Sequence, residues 1–89
     1  MRIRWSGPAL NDLRSLRTFT AESNSPAAER QVDRILIAAS GLVVFPESGR
    51  PGRLPGTREL VVGKTPYLVA YRLERDTVEI LRVFHSRQR

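Results

Sequence analysis

The spacing of apolar residues along the chain predicts a short strand followed by a helix. The first residues, Arg2-Ile3-Arg4-Trp5, alternate between polar and apolar, which is typical of a strand. Ser6-Gly7-Pro8 then has the composition of a helix start, because proline is favoured in the first helical turn. Beyond it, apolar residues recur every three positions along one face of a helix that is expected to end before Ser23-Asn24. These apolar positions are Leu10, Leu13, Leu16 and Phe19.

A second helix start follows at Ser25-Pro26, and this helix has the stronger amphipathic pattern. Its apolar residues recur with helical spacing over residues 28–43, and Pro46 ends the helix. The connection Ser23-Asn24-Ser25 is short, which predicts an antiparallel helical hairpin. We expect the inner faces of both helices to pack against the strands. The expected core comprises Leu13, Leu16, Val32, Ile35, Leu36, Ala39 and Leu42 from the helices, facing Ile3, Leu60 and Val62.

The rest of the chain is predicted to form three strands, over residues 57–62, 67–73 and 77–84. The turns between them are short, which predicts an antiparallel meander, and residues 46–57 form a long loop that crosses from helix to sheet. The middle strand is apolar on both faces, so it is central or has something covering its outer side. The predicted fold is therefore α+β and one domain over residues 1–89. Its order is β-α-α-β-β-β, with the hairpin packed on an antiparallel sheet.

The composition changes this picture mainly through its charge. The 89-residue chain has fifteen Lys and Arg against nine Asp and Glu, a formal net charge of +6. Lys64 is the single lysine, so fourteen of these cations are arginines, whose planar guanidinium suits phosphates and carboxylates. A nucleic acid or an acidic protein is the indicated class of partner. The alternative is that the excess of arginine over lysine only reflects a GC-rich genome.

Several classes of protein are disfavoured by what the sequence lacks. It has no cysteine, which excludes disulfides, thiolate zinc sites and a cysteine nucleophile. It has no apolar run long enough to span a membrane, and its N-terminus lacks the apolar segment of a signal peptide. We therefore expect a cytoplasmic protein with no membrane partner.

Few residues can carry metal or nucleophilic chemistry. His85 is the single histidine, so we expect neither a metal site nor a cofactor. A serine–histidine–aspartate triad would have to use His85 without a nucleophile-elbow motif. Gly49-x-x-Gly52 lies in a proline-containing loop that leads into a strand, so it is not a phosphate cradle. Tyr67 and Tyr71 are expected to line the core or a groove rather than to act as acids or bases.

The candidate site is a group of cations around the last strand. Arg58, Arg72 and Arg82 fall on the three successive predicted strands, and His85 and Arg87 follow in the tail. On adjacent antiparallel strands such side chains can share one surface within reach of a phosphate. These five residues are the predicted target-binding residues.

A different interpretation is that the same arginines pair internally with carboxylates. Arg82 follows the two-residue spacing of Val78, Ile80 and Phe84. It is therefore expected on an otherwise apolar face, where it needs an anionic partner. Arg72 has carboxylates on neighbouring strands, and His85 is then only a surface residue at a strand end. The carboxylates available for cross-strand pairing are Glu59, Glu74 and Glu79.

Six short stretches resemble the RelE/ParE superfamily of toxins from bacterial type II toxin–antitoxin pairs, over nearly the whole chain. The resemblance implies a helical hairpin packed on an antiparallel sheet. It also implies a cognate antitoxin encoded alongside, in a hetero-oligomer with the toxin. The stretches are Trp5-x-x-x-Ala9-x-x-Asp12-Leu13, Asn24-x-Pro26-x-Ala28, Phe45-Pro46-x-x-Gly49-Arg50, Gly56-Thr57-Arg58-Glu59-Leu60, Pro66-Tyr67-x-Val69-x-Tyr71-Arg72 and Val78-x-Ile80-Leu81-Arg82-Val83-x-His85.

Within the superfamily, RelE-like members cleave mRNA in the ribosomal A site and ParE-like members poison DNA gyrase. The stretch Tyr67-x-Val69-x-Tyr71-Arg72 resembles the ParE branch, because RelE-like toxins place cations within the central strands. The resemblance therefore implies a gyrase inhibitor with no catalytic residue, neutralised by an acidic ParD-like antitoxin that folds on binding. The alternative is a RelE-like interferase acting on the ribosome and mRNA, with Arg58, Arg82 and His85 as its catalytic residues. A further alternative is a non-toxic basic binding module.

Overall fold

The part of the chain that the structure describes folds into five strands and one long helical run. The computed structural model describes the backbone of residues 1–88, and the side chains of residues 1–18 and 26–87. Strands were predicted at 57–62, 67–73 and 77–84, and each is present within one residue of its predicted bounds. In chain order the elements are strand β1 (Arg2–Trp5), helix α1 (Gly7–Gly41), strands β2 (Arg50–Pro51), β3 (Thr57–Val61), β4 (Tyr67–Glu74) and β5 (Thr77–His85), and a 3₁₀ turn (Ser86–Gln88).

Helix α1 folds back on itself and forms two antiparallel arms. Its 35 residues would extend about 52 Å in a straight helix, but the longest dimension of the molecule is 40 Å. Arg17 Nε lies 3.3 Å from Glu29 Oε1, a contact that a straight helix does not allow. Arm 1 (residues 7–18) and arm 2 (residues 26–41) therefore form the predicted helical hairpin. The predicted connection Ser23-Asn24-Ser25 and the side chain of Phe19 lie outside the described side chains.

The start of helix α1 is the one that the sequence predicts. Ser6 is extended and its Oγ accepts a 3.1 Å hydrogen bond from the Ala9 amide, which satisfies one of the unpaired donors of the first turn. The Ser6 amide in turn donates to the carbonyl of Ile80 on β5, at 3.0 Å. The first turn of arm 1 is thus fixed to the last strand, which brings Asp12 close to the end of that strand.

The sheet has the order β1-β5-β4-β3-β2, and β3, β4 and β5 form the predicted antiparallel meander. Strand β1 pairs with β5 in parallel, so the sheet is mixed rather than wholly antiparallel. Strand β2 lies within the predicted loop and pairs with the outer edge of β3, with Arg50 opposite Glu59. With the two helical arms on one face of this sheet, the arrangement is the predicted β-α-α-β-β-β fold.

A bulge in β5 changes which side chains face the arms. Ala70 lies opposite Arg82 and Tyr71 opposite Ile80, so Leu81 is an extra residue without a partner position on β4. Ile80 is buried on one side of the bulge and Val83 on the other, while the side chain of Arg82 is 59% exposed. The prediction that Arg82 continues the face of Ile80 is wrong, because it assumed an unbroken alternation along the strand.

The core lies between the two arms and the sheet, as predicted. Ile35 and Tyr71 are fully buried and are its largest side chains. Leu36 was predicted to belong to the core, and this prediction is wrong because Leu36 is 41% exposed. No helix in residues 1–88 has the length and hydropathy that a bilayer span requires. The buried cluster consists of Ala9, Leu16, Val32, Ile35, Ala39, Leu42, Val62, Val69, Tyr71, Val78, Ile80 and Val83, with Ile3, Leu13 and Leu60 packed against it.

Candidate functional site

Arg58 holds the chain between helix α1 and strand β2. Its Nη1 donates to the carbonyl of Gly49 at 2.8 Å and to that of Glu47 at 3.2 Å. Its Nη2 lies 4.0 Å from the Glu47 carboxylate. The guanidinium is thus engaged by two carbonyls of the crossing segment, which is a structural use of this arginine.

Tyr71 also holds this segment. This side chain is fully buried, as the sequence led us to expect of a core tyrosine, and its hydroxyl donates to the Pro46 carbonyl at 2.8 Å. The hydroxyl also accepts a 2.9 Å hydrogen bond from the Gly49 amide. A Cβ at Gly49 would lie 2.6 Å from that oxygen, so the close approach requires glycine. These contacts join Pro46 and Gly49 of the crossing segment to Tyr71 of the sheet.

Arg72 belongs to an ion-pair network on the face of the sheet away from the arms. Its Nε lies 2.8 Å from Glu79 Oε1 and 3.6 Å from Glu74, two of the carboxylates predicted as internal partners. Arg4 on β1 binds the second oxygen of Glu79. The hydrogen bond from Arg4, together with that from Arg72, lowers the pKa of Glu79 below its ordinary value although burial opposes this. Arg72 on β4 and Arg4 on β1 thus bind the same carboxylate on β5, which links the three strands.

Arg82 makes a bidentate ion pair with Asp12 of arm 1, a partner that the sequence analysis did not consider. Its Nε and Nη2 lie 2.8 and 2.9 Å from the two carboxylate oxygens. Hydrogen bonding to Asp12 raises the pKa of Arg82. Asp12 Oδ2 also accepts a 2.8 Å hydrogen bond from the Val83 amide. Because β1 ends at Trp5, β5 has β4 on one side but no strand on the other side at Val83, and Asp12 satisfies the amide that this edge would otherwise leave unpaired.

His85 and Arg87 lie at one end of a cleft of about 520 Å³ between arm 1 and the end of β5. The His85 ring packs edge-on against Tyr67, with centroids 5.5 Å apart, and its Nδ1 accepts a hydrogen bond from the Arg87 amide at 3.1 Å. Burial raises the pKa of Tyr67, which keeps the phenol protonated. The cleft is lined by Asp12, Ser15, Leu16, Tyr67, Val83, Phe84, His85 and Arg87.

The five predicted site residues do not share one surface. Arg82 is bound to Asp12 beside the cleft that His85 and Arg87 line, so these three lie near one another. Pairing of Arg58 with Tyr71 places it toward the arms, whereas Arg72 contacts Glu79 on the opposite face. The structure therefore brings Arg82, His85 and Arg87 together and leaves Arg58 and Arg72 elsewhere.

A second groove, of about 410 Å³, crosses the sheet face opposite the arms. It lies beside Arg82 and is bordered by Arg53 and Leu54, which the sequence analysis did not single out. Leu54 is 67% exposed, and the sequence alone does not show this exposure because it depends on the fold. Among the side chains of residues 1–18 and 26–87, no three His, Asp or Glu converge as a metal site requires. The cleft and the groove offer guanidinium, phenol and imidazole groups that can bind anionic oxygens, beside the carboxylates of Asp12 in the cleft and Glu59 in the groove.

Comparison with known sequences places these features in a family. A family model described as the ParE toxin of the type II toxin–antitoxin system parDE matches residues 3–89. Y4kP of Sinorhizobium fredii, named as a candidate toxin, is 46% identical over 98% of this chain and 90% of its own length. Toxin RelE2 of Caulobacter vibrioides is 34% identical over 96% of this chain and 94% of its own. Toxin RelE3 of the same organism is 37% identical over 93% and 92%.

Two solved structures have the same fold. A chain of the chromosomal ParDE toxin–antitoxin system from P. aeruginosa superposes with a TM-score of 0.86 at 26% identity, covering 96% of this chain and 95% of that one. A chain of the toxin–antitoxin complex RelBE2 from Mycobacterium tuberculosis superposes with a TM-score of 0.72 at 30% identity, covering 94% and 95%. Both likenesses cover nearly the whole of each chain.

Proposed function

The chain belongs to the ParE toxin family of type II toxin–antitoxin systems, and from that membership we propose that it inhibits DNA gyrase and is neutralised by a ParD-like antitoxin. The observation that carries this proposal is the match to the ParE family model over residues 3–89. The likeness to a ParDE chain, with a TM-score of 0.86, supports it. The proposal places the protein in the cytoplasm, in a hetero-oligomer with its antitoxin.

The contacts of the candidate arginines support gyrase rather than RNA as the target. Cleavage of RNA needs a general base, a clamp for the phosphate and a proton donor for the leaving oxygen. Arg58 is engaged by two backbone carbonyls and Arg82 by the Asp12 carboxylate. The central part of β4, Tyr67-Leu68-Val69-Ala70-Tyr71, has no cation. The chain thus has binding groups at the end of β5 but few that are free to clamp a reacting phosphate.

We propose that the target-binding surface is formed by His85 and Arg87 together with the exposed edge of the Arg82–Asp12 pair. Arg87 is exposed, and His85 is half-buried against Tyr67. An arginine in this surface contributes to target binding through its charge. Its replacement by a neutral residue therefore weakens the affinity for the target by the energy of the contact that is lost. Arg58 and Arg72 were predicted as members of this surface, and we propose that they act in folding instead.

The second candidate function is ribosome-dependent cleavage of mRNA. It is favoured by the relatives named RelE2 and RelE3 and by the cleft in which Tyr67, His85 and Arg87 lie together. Phenol, imidazole and guanidinium groups can supply a proton donor, a base and a phosphate contact. In this reading His85 is a catalytic residue rather than a binding residue.

Assays of the purified chain on DNA gyrase and on ribosomes distinguish the two functions. We expect the chain to inhibit supercoiling by gyrase, Arg87→Gln to weaken inhibition about tenfold or more, and His85→Gln to retain much of it. Arg30→Gln on the exposed face of arm 2 is the matched control and should behave as the parent chain. Ribosome-dependent cleavage that is abolished in His85→Gln while ribosome binding persists would replace gyrase by the ribosome. Activity on neither target would indicate the non-toxic binding module.

A further inference from the structure

The cleft beside the end of β5 contains donor groups whose partners are not supplied by the described part of the chain. The guanidinium of Arg87 makes no ion pair with the residues that the structure describes, and the hydroxyls of Tyr67 and Ser15 make no hydrogen bond with them. The Tyr71 hydroxyl, by contrast, both donates and accepts a hydrogen bond. Arg87, Tyr67 and Ser15 line one cleft of about 520 Å³, so a single occupant can contact all three.

Asp12 supplies the carboxylate among the residues that line this cleft, and both of its oxygens are already engaged. Its Oδ1 accepts from Arg82 Nη2 at 2.9 Å, and its Oδ2 accepts from Arg82 Nε and from the Val83 amide, each at 2.8 Å. These contacts balance the charge of Asp12 against that of Arg82. Arg87 therefore gives the cleft an excess of positive charge, which favours an occupant with a negatively charged acceptor.

Apolar side chains in the cleft narrow the class of the occupant further. Leu16 and Val83 are buried core residues that also line it. Duplex DNA carries one charge per about 1.7 Å of its axis, and proteins hold it with several cations along the backbone. One unpaired guanidinium, two hydroxyls and an apolar surface instead match a single carboxylate next to an apolar side chain. The volume of the cleft lies within the range of about 300–1,000 Å³ that is usual for binding pockets.

We infer that this cleft receives an aspartate or glutamate side chain of gyrase, with Arg87 and the Tyr67 hydroxyl donating hydrogen bonds to its carboxylate. Leu16 and Val83 then contact the apolar residue beside that side chain. The inference rests on the proposed function, since it takes gyrase as the partner, and it adds Tyr67 to the target-binding residues. The net charge of +6 favours an acidic segment of another protein over a second copy of this chain.

The environment of Tyr67 suits it to this role. Its ring packs edge-on against the His85 ring, with centroids 5.5 Å apart, which limits its orientation. Because burial raises the pKa of Tyr67, its hydroxyl remains a donor at neutral pH. A hydroxyl that donates to a carboxylate makes a charge-assisted hydrogen bond, which is stronger than one between neutral groups.

Titration of the full-length chain with short peptides tests the chemistry of the cleft without gyrase. The probes are the end-blocked tripeptide leucine–glutamate–leucine, its neutral counterpart leucine–glutamine–leucine, and a short duplex DNA. NMR signals of the Tyr67 ring and the Arg87 guanidinium report occupancy. We expect the glutamate peptide to shift both signals and the glutamine peptide to shift them about fivefold less or weaker still. An equal response to the two peptides, or a response to the DNA alone, would overturn the assignment of the cleft to a carboxylate.

Binding of variants to purified gyrase without DNA tests the partner. We expect Tyr67→Phe to weaken binding about tenfold and Arg87→Gln about tenfold or more, while the control Arg30→Gln stays within about twofold of the parent. Since both donors hold the same carboxylate, the double variant should lose less than the product of the two single effects. Circular dichroism should show parent-like folding, because Tyr67→Phe removes one oxygen and Arg87 is exposed.

The possible results separate the inference from the proposed function. Parent-like binding of gyrase by Tyr67→Phe would overturn the inference and leave the proposed function intact. Loss of antitoxin binding in Tyr67→Phe, with gyrase binding at the parent level, would overturn it in favour of the antitoxin as occupant. Failure of the parent chain to bind or inhibit gyrase would overturn both the proposed function and gyrase as the occupant, whereas the peptide titration reports the chemistry of the cleft independently.

Discussion

The Gly49 amide donates a 2.9 Å hydrogen bond to the Tyr71 hydroxyl, which joins the crossing segment after helix α1 to the central strand of the sheet. The same hydroxyl donates to the Pro46 carbonyl at 2.8 Å. One buried side chain thus satisfies a donor and an acceptor of a segment that has no strand partner of its own there. Tyr71 is the more buried of the two tyrosines in the stretch Tyr67-x-Val69-x-Tyr71. It therefore acts in folding rather than in target binding.

The first prediction concerns Tyr71→Phe. Removal of the hydroxyl leaves the Gly49 amide and the Pro46 carbonyl without their partner in a buried site, and we expect the free energy of unfolding to fall by about 1–3 kcal/mol. Urea denaturation measures this loss. Tyr67→Phe is the matched control, since Tyr67 is half-buried at the end of the same strand, and it should change stability by less than about 0.5 kcal/mol. Equal effects of the two changes would contradict the role given to the Tyr71 hydroxyl.

The second prediction compares two neighbours on arm 2. Ile35 is fully buried, so Ile35→Ala should cost about 2–5 kcal/mol of stability. Leu36 is 41% exposed, so Leu36→Ala should cost about 1 kcal/mol or less. Denaturation of both variants under the same conditions measures the difference. A larger loss for Leu36→Ala than for Ile35→Ala would mean that the buried face of arm 2 has been placed wrongly.

The third prediction concerns Asp12, which binds both Arg82 and the Val83 amide. Asp12→Ala removes both contacts, and hydrogen exchange at the Val83 amide should become about tenfold faster or more. Asp12→Asn keeps an oxygen that can accept from this amide, so its exchange should stay nearer to that of the parent. Arg82→Ala removes the ion pair alone and serves as the control. If Val83 exchanged at the parent rate in Asp12→Ala, the carboxylate would not be what closes this edge of β5.

The fourth prediction concerns acid stability. The hydrogen bonds from Arg4 and Arg72 lower the pKa of Glu79 in the folded protein, so its carboxylate contributes stability above the ordinary pKa of glutamate. That contribution is lost as the pH falls through the lowered pKa that Glu79 has in the folded protein. Below this pH the carboxylate is protonated and no longer attracts the two arginines. Glu79→Gln should therefore reduce the dependence of stability on pH in the acid range, as measured by thermal unfolding. A dependence of stability on pH that stays the same in Glu79→Gln would contradict this role of the Glu79 carboxylate.

Much of the fold follows from local sequence patterns, because helical and strand spacings are properties of neighbouring residues. The helical arms and the three meander strands were predicted for this reason, and Tyr71 was correctly expected to line the core. The extra residue Leu81 was not predicted, since a bulge is defined by the register of two strands and not by either one alone. That single residue turns Arg82 away from the face of Ile80. The predicted shared surface fails for a second reason: Arg58 lies opposite Tyr71, the residue before Arg72, so Arg58 and Arg72 point to opposite faces of the sheet.

The partners of the candidate arginines were harder to predict than their positions. Asp12 and Arg82 meet only because the parallel pairing of β1 with β5 brings the start of arm 1 to the end of β5. Nothing in local spacing indicates a pairing between residues 70 positions apart, although Asp12 stood in one of the stretches that resemble the toxin family. Arg72 was the easier case, because its partner Glu79 lies opposite it on the adjacent strand.

Inhibition of gyrase can be tested by expression of the chain in a sensitive bacterial host, with DNA-damage induction and transcript cleavage read in the same cells. A gyrase inhibitor should induce the DNA-damage response while transcripts stay intact, and co-expression of the antitoxin should relieve both growth arrest and damage. Transcripts cut within translated regions, with no DNA-damage response, would contradict inhibition of gyrase and assign the toxin to the ribosome.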